Sequence, residues 1–286
     1  MADLSYFDSI VLGIVEGLTE FLPVSSTGHL TIAEKMLGLK VDAPEVTAYT
    51  AIIQLGAIAA TLIFFAKDIR RFLGAWIGGL RDAGRRDAPD YSLAWAVIVG
   101  SIPVALVGFA LKDFISGSLR SLWVVAAALI VWSFAMLRAE SIYARRVRRG
   151  DVRGEGTVTL RDGIVIGLVQ CLSLVPGVSR SGATISAGIA RGIDRVTATR
   201  LSFFLAIPAL TAAGVYEAIK ERATLGDLGI GPMVLGVVVA FVVAYGSIAW
   251  LLKFVSTNTL RPFVWYRLAL GAGLLIALAA GVSAST

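Results

Sequence analysis

Glu16-Gly-Leu-Thr-Glu20-Phe-Leu-Pro23-Val-Ser25-Ser26-Thr27-Gly28-His29 interrupts an otherwise apolar run with two carboxylates, several hydroxyls and the single histidine of the chain. A basic counterpart lies 154 residues on: Gln170-Cys-Leu-Ser173-Leu-Val-Pro176-Gly-Val-Ser179-Arg180-Ser181-Gly182-Ala-Thr184. At that offset Val24-Ser25-Ser26-Thr27-Gly28 faces Val178-Ser179-Arg180-Ser181-Gly182, and Glu16 faces Gln170. The shared frame predicts one site built from two halves. One half brings carboxylates and an imidazole, the other a guanidinium, a set that suits phosphate chemistry.

The surroundings of these clusters decide the fold class. Of 286 residues 57% are hydrophobic and 16% charged, and mean hydropathy is +0.80. A soluble domain carries roughly 25% charged residues. The excess sits in long blocks: Ala48–Ala66, Leu93–Leu111, Leu122–Leu137, Val196–Ala218, Met233–Leu252 and Trp265–Val282. Most approach the roughly 20 residues that cross a bilayer core as a helix. The chain therefore reads as an all-α polytopic membrane protein, a single membrane domain over 1–286. The first residues carry Asp3 and Asp8 and no Lys or Arg, unlike the basic start of a cleavable signal. One cysteine, Cys171, excludes an internal disulfide or a cysteine cluster, and one histidine excludes a His-rich zinc site.

A net charge of +6 raises nucleic acid as a partner, but the positions of the basic residues exclude that reading. They gather in the connections 67–90, 138–161, 191–200 and 253–267, which hold 19 Lys and Arg against 6 in the remaining connections, with Arg180 set aside. The positive-inside bias places the rich connections in the cytoplasm, where the Arg145–Arg149 cluster sets topology against anionic headgroups. Six spans alternate consistently only if 10–40 and 162–192 each enter and leave on one side, the first from outside, the second from the cytoplasm. Their Pro-Val-Ser-Ser and Pro-Gly-Val-Ser interruptions are tolerated at membrane depth only where protein or water surrounds them. Both segments are expected as re-entrant helix-turn-helix hairpins. Each precedes three spans, which predicts an inverted-topology repeat with halves of about 1–140 and 155–286 and a basic cytoplasmic loop between them. Secondary transporters share that architecture, so a lipid flippase or other transporter is the competing reading.

Glu16 and Glu20 project from one helix face. Two carboxylates in a low-dielectric site favour a shared proton or a bridging divalent cation, and carboxylates at membrane depth are functional by default. Pro23 ends the first helix. Ser25, Ser26 and Thr27 are N-cap types, so the next helix begins there and presents free N–H groups suited to an anion. His29 falls in its first turn, able to donate a proton, accept one or attack phosphorus. In the second cluster Pro176 and Gly177 open the turn, and Ser179 or Ser181 caps the following helix. The Arg180 fork matches a phosphate or the two glutamates. A G-x-S-x-G elbow and a Walker loop are both absent from the sequence. Gly13-x-x-x-Gly17 and Gly163-x-x-x-Gly167 permit close helix approach, although 30 glycines also generate the pattern by chance.

Together, Glu16-x-x-x-Glu20 with Pro23-Val-Ser-Ser-Thr-Gly-His29 and Pro176-Gly-Val-Ser-Arg-Ser-Gly-Ala-Thr184 resemble the bacterial undecaprenyl-diphosphatase, or bacitracin-resistance protein, family. The resemblance covers essentially the whole chain. It implies hydrolysis of undecaprenyl diphosphate to the monophosphate, recycling a lipid carrier for cell-wall synthesis, in the bacterial inner membrane with the site open to the periplasmic face. It also implies a divalent cation, Mg2+ or Ca2+, with Glu16 and Glu20 as its ligands. Glu16, Glu20, Ser26, His29 and Arg180 carry over as catalytic residues. Ser25, Thr27, Ser179, Ser181 and Thr184 carry over as pocket lining. Expected partners are a polyprenyl diphosphate and membrane lipids, and a homodimer is compatible with the sequence. The mechanism expected makes Ser26 the nucleophile, Glu20 its base and His29 the proton donor, with His29 or water as alternative attacking groups.

Overall fold

A computed structural model of the chain describes residues 4–41, 43–116, 119, 121–220 and 229–281. Asp3, Arg120, Arg222 and Val282 lie outside them. Apart from one β-bridge between Arg153 and Ile193, the regular structure described is helical. Six helices are long and apolar enough to cross a membrane: α3 (Pro44–Phe64), α5 (Pro89–Ala110), α7 (Leu122–Arg148), α10 (Arg195–Lys220), α11 (Ile230–Thr257) and α12 (Arg261–Ala279). They coincide with the six apolar blocks of the sequence. Two helix-turn-helix units join them, α1 (Tyr6–Thr19) with α2 (Ser26–Met36) and α8 (Leu160–Gln170) with α9 (Arg180–Ala190). The short helix α6 (Lys112–Ser116) follows α5.

The connection 67–90 is not a simple loop. Helix α4 (Ala66–Arg81) occupies most of it, because Ile69, Phe72, Leu73, Trp76, Ile77 and Leu80 recur at helical spacing and give one apolar face. Phe72 is buried in the main core, and Trp76 meets Trp95 of α5 edge-on at 6.0 Å. Likewise α7 runs through Arg138 and the arginine cluster to Arg148 before the chain breaks.

The two hairpins match residue for residue at the 154-residue offset. Ser5 and Thr159 each cap their helix with a complete capping box, closed by Asp8 and Asp162. Ser25 and Ser179 are the two non-glycine residues with positive φ among those described, at 80° and 75°, and the second helix starts at the next residue in both units. Glu16 and Gln170 are both fully buried. Packing partners exchange in the same way: α1 lies along α11, α8 lies along α5, and α7 packs on α12.

Glycines set how closely α1 and α8 approach those partners. A Cβ on Gly13 or Gly17 would lie 2.8 Å from the carbonyl oxygens of Gly236 and Ala240. On Gly163 and Gly167 it would lie 2.2 and 2.0 Å from those of Ala96 and Gly100. Rising residue numbers on both sides make each pair parallel. Helix α8 begins beside the starts of α5 and α10, whereas α1 begins beside the start of α11, at the other end of the bundle. Hairpin α8–α9 returns to the end it left, since Arg191 Nε donates to Asp162 Oδ1 and Arg153 N–H donates to Gly192 O at 2.8 Å. Leu37 and Leu39 likewise pack against the buried cluster that includes Leu4.

The α8 end carries a dense ionic network. Arg153 grips Asp162 through two bonds of 3.0 Å, Arg200 bonds Glu155 and Asp68 at 2.8 Å each, and Arg71 bonds Glu155. Glu140 takes Arg195 Nη2 at 2.7 Å and the Leu260 N–H at 2.8 Å, which joins the ends of α7, α10 and α12. Burial alone would raise the Asp162 carboxyl, but the bonds from Arg153, Thr159 and Arg191 outweigh it and hold it below the ordinary carboxylate range. A depressed carboxyl stabilises the fold above its unfolded pKa and loses that contribution as pH falls. Thermal stability of the wild type should therefore decline on acidification below about pH 4, with a shallower decline in Asp162→Asn; equal slopes in a pH series would contradict this. Gly167→Ala should cost about 1–3 kcal/mol by overpacking against α5, read as a lower thermal midpoint in detergent. Gly74→Ala is the control, because nothing lies within 4 Å of the added methyl.

Candidate active site

The tips of the two hairpins meet. Helix α1 stops at Thr19, earlier than Pro23, and the Glu20 N–H closes it on Glu16 O at 3.0 Å. The chain then turns through Phe21–Val24 and places Ser25 at positive φ, which costs a non-glycine residue about 1–2 kcal/mol. Cross-turn bonds hold it there. Ser25 Oγ accepts the Gly177 N–H at 3.2 Å, and Ser181 Oγ donates to Leu22 O at 2.9 Å. Ser25 is thus the N-cap by position but spends its hydroxyl on the other hairpin, whereas Ser179 makes an ordinary cap on Gly182 N at 3.1 Å.

The predicted residues sort into connected groups. Ser26 Oγ donates to Glu16 Oε2 at 2.8 Å. Arg180 Nη2 reaches both Glu20 Oε1 and Glu20 O at 3.3 Å, and its Nη1 donates to Ser202 O at 3.0 Å. Ser26 therefore meets Glu16, not Glu20. The return turn brings it alongside the earlier carboxylate, while Glu20, at the end of α1, faces α9. Thr184 Oγ1 bonds Ser202 Oγ at 2.6 Å and Arg180 O at 2.8 Å, which supports the helix carrying the guanidinium. Ser179 and Ser181 pair at 3.1 Å and are both buried. Thr27 is exposed. His29 is half-buried, with Nδ1 2.7 Å from Ser25 O and Nε2 2.6 Å from Tyr266 Oη.

Among the side-chain atoms buried without a protein hydrogen-bond partner on the two hairpins, Glu16 Oε1 and Arg180 Nε belong to the residues the sequence singles out as catalytic. One is an acceptor, the other a donor, and they stand on the carboxylate and guanidinium halves respectively. Glu16 and Glu20 are hard oxygen donors of the kind that hold Mg2+ or Ca2+, and the free Glu16 Oε1 fits a cation. No group of three or more His, Cys, Asp or Glu that could hold a metal ion occurs among the described residues. A cation on these two carboxylates would thus draw further ligands from hydroxyls, water or an anion, as Mg2+ commonly does.

Helix α12 supplies what the sequence did not announce. Arg267 reads in sequence as one more basic residue near a cytoplasmic connection, but it is fully buried. Its Nη1 donates to Pro23 O at 3.3 Å and its Nη2 to Gly177 O at 2.8 Å, one carbonyl from each tip. Nε reaches Ser133 Oγ at 3.3 Å and Nη2 also reaches Leu129 O at 3.4 Å, both on α7. No carboxylate pairs with Arg267 among the described residues. Its neighbour Tyr266 meets His29, and Ser202 of α10 completes the cradle of Arg180. The Pro-x-x-x-x-Arg run of α12 has no motif character, so only the fold reveals these residues.

A profile described as bacitracin resistance protein BacA matches residues 9–273. The chain belongs to the BacA family. An undecaprenyl-diphosphatase 3 of Frankia casuarinae is 52% identical over 285 residues, 99% of this chain and 100% of the relative. Undecaprenyl-diphosphatases of Acidothermus cellulolyticus and Cutibacterium acnes are each 51% identical, over 96% and 94% of this chain and 97% and 95% of their own lengths. The BacA match contains both hairpin tips and the start of α12, so Tyr266 and Arg267 fall within it along with the motif residues.

Removing the Arg267 guanidinium strips Pro23 O and Gly177 O of their bonds, and a buried carbonyl left unpaired costs about 1–3 kcal/mol. Arg267→Met should lower stability by about 2 kcal/mol or more on that basis. Unfolding in detergent, followed by thermal melt or proteolysis, reads the change; an unchanged midpoint would contradict the clamp.

Proposed function

We propose that this chain is an integral-membrane phosphatase that hydrolyses undecaprenyl diphosphate to undecaprenyl phosphate and inorganic phosphate, recycling the carrier lipid of cell-wall synthesis and conferring bacitracin resistance. One observation carries the reading: Arg180 of the second hairpin lies 3.3 Å from Glu20 of the first, next to the Ser26–Glu16 pair. An anion binder and an activated hydroxyl thus share one site. The names of the relatives, at about half identity over nearly the full chain, agree with it.

The residues divide the work as follows. Arg180 binds the terminal phosphoryl oxygens, with its unpartnered Nε and the N–H groups at the starts of α2 and α9 turned to the same charge. Glu20 holds the guanidinium fork in place until the phosphate arrives. Ser26 Oγ attacks the terminal phosphorus and gives its proton to Glu16 Oε2; the bond to the bridging oxygen breaks, and undecaprenyl phosphate leaves. Water then cleaves the phosphoserine, and Glu16 returns the proton to Ser26. Glu16 and Glu20 would hold a divalent cation, Mg2+ or Ca2+, which would supply charge neutralisation for the phosphates. Positioning and charge stabilisation dominate phosphoryl transfer, so the rigidity of the two tips matters as much as any proton.

The reading extends to membrane placement. The ionic network that ends α7 and starts α8 and α10 is rich in arginine, and basic ends face the cytoplasm. Hairpin α8–α9 is then re-entrant from the cytoplasm, and α1–α2 is re-entrant from the outer side of the bacterial inner membrane. The two halves, about 1–140 and 155–286, are inverted repeats. Their matching capping boxes, matching positive-φ serines and exchanged helix partners support this. Substrate reaches the site from the outer leaflet.

Purified protein in detergent should release inorganic phosphate from undecaprenyl diphosphate, and a chelator should abolish the release. Glu16→Gln should lower kcat by about 100-fold or more, the scale of a lost general base. Phosphate release at wild-type rate by Glu16→Gln, or lipid movement across liposomes with no release, would overturn the assignment.

A further inference from the structure

His29 is the one titratable group of the site whose role the hairpin contacts leave open, and its two ring nitrogens have very different partners. Nδ1 lies 2.7 Å from Ser25 O. A carbonyl oxygen only accepts, so Nδ1 carries a proton. In the neutral ring Nε2 is then bare, and the 2.6 Å contact with Tyr266 Oη is a bond donated by the phenol. The rings lie nearly parallel, with centroids 5.6 Å apart and planes 13° from each other, so the imidazole is fixed in rotation as well as in tautomer.

The position of the phenol is itself determined. Tyr266 precedes Arg267, whose guanidinium is bonded to Pro23 O and Gly177 O. Helix α12 cannot slide along the turn without losing those bonds, and it therefore delivers Tyr266 to His29 at a set height. Ser25, which orders Nδ1, is held by the Gly177 N–H. Both anchors of the imidazole thus depend on the meeting of the two hairpins.

We propose that Tyr266 is a positioning residue for His29, holding it as the Nδ1–H tautomer with a bare Nε2 that serves as proton acceptor. This rests on the phosphatase reading above and refines it. With its only ring proton committed to Ser25 O, His29 begins the cycle as a base. It donates a proton only after Nε2 has taken one: the water that cleaves the phosphoserine gives its proton to Nε2 as the phenol turns aside, and His29 then gives that proton to the departing inorganic phosphate.

Because His29 is the only histidine, 15N-histidine labelling of the full chain, purified on a tag without histidine, gives one imidazole to observe. Long-range 1H–15N spectra in detergent at neutral pH should show a protonated Nδ1 and a bare, hydrogen-bonded Nε2. Tyr266→Phe keeps the ring contact, so it should retain the Nδ1 proton while the Nε2 resonance moves toward that of a free bare nitrogen. In the same variant kcat should fall about tenfold, as for lost orienting partners elsewhere, with KM changed less than about twofold. A proton on Nε2 with Nδ1 bare, a doubly protonated ring, an Nε2 resonance untouched by Tyr266→Phe, or a shifted resonance with unchanged kcat would each overturn the proposal. Should Tyr266→Phe fail to fold, the wild-type spectrum alone still decides the tautomer. Absence of phosphate release by the wild type would refute the phosphatase reading, while the spectra would still decide the pairing of His29 with Tyr266.

Discussion

A single buried guanidinium holds the two halves of this protein to a common point. Arg267 donates to one carbonyl from each hairpin tip and to two acceptors on α7. Interrupted backbone in an apolar interior leaves carbonyls that lipid cannot satisfy, and each costs several kcal/mol there unless protein supplies a donor. Burying a charge to do so is expensive. Spreading the bonds over four oxygens from three segments makes the cost tolerable, and it makes the turns mutually dependent. Ser25 and Ser179 can then occupy positive φ, and α2 and α9 start at the next residue in each turn.

From this junction the arrangement of charge follows. The first hairpin contributes carboxylates and a hydroxyl, the second a guanidinium, and neither is complete alone. Arg180 stays in register through Glu20, Ser202 and Thr184. Glycine contacts press α1 onto α11 and α8 onto α5 at backbone distance, so both tips are carried by rigid helix pairs. The ionic network at the α8 end fixes the base of the α8–α5 pair.

The spans and the two interrupted segments are legible in the sequence because both rest on local signals, apolar block length and proline beside serine. Glu16, Glu20 and Arg180 are legible too, since charge within an apolar run stands out, whereas Ser26 is one of three adjacent hydroxyls. Pairing is harder. Glu16 and Glu20 are equivalent by spacing, and only the path of the turn gives Ser26 to Glu16 and Arg180 to Glu20. Arg267 escapes a linear reading because a basic residue six positions into a span resembles a loop charge, and burial is a tertiary property. Tyr266 and Ser202 carry no local signal at all. Helix α4 hides within a connection because its charges mask an apolar face of period 3.6.

The central claim is that the two tips form one catalytic unit, and a double-mutant cycle in phosphate release tests it most directly. Glu20→Gln, Arg180→Lys and the double variant are compared by kcat/KM. Residues acting through one site couple by about 0.5–3 kcal/mol, so the double variant should be far less impaired than the product of the single losses. Losses that multiply independently would contradict a shared site.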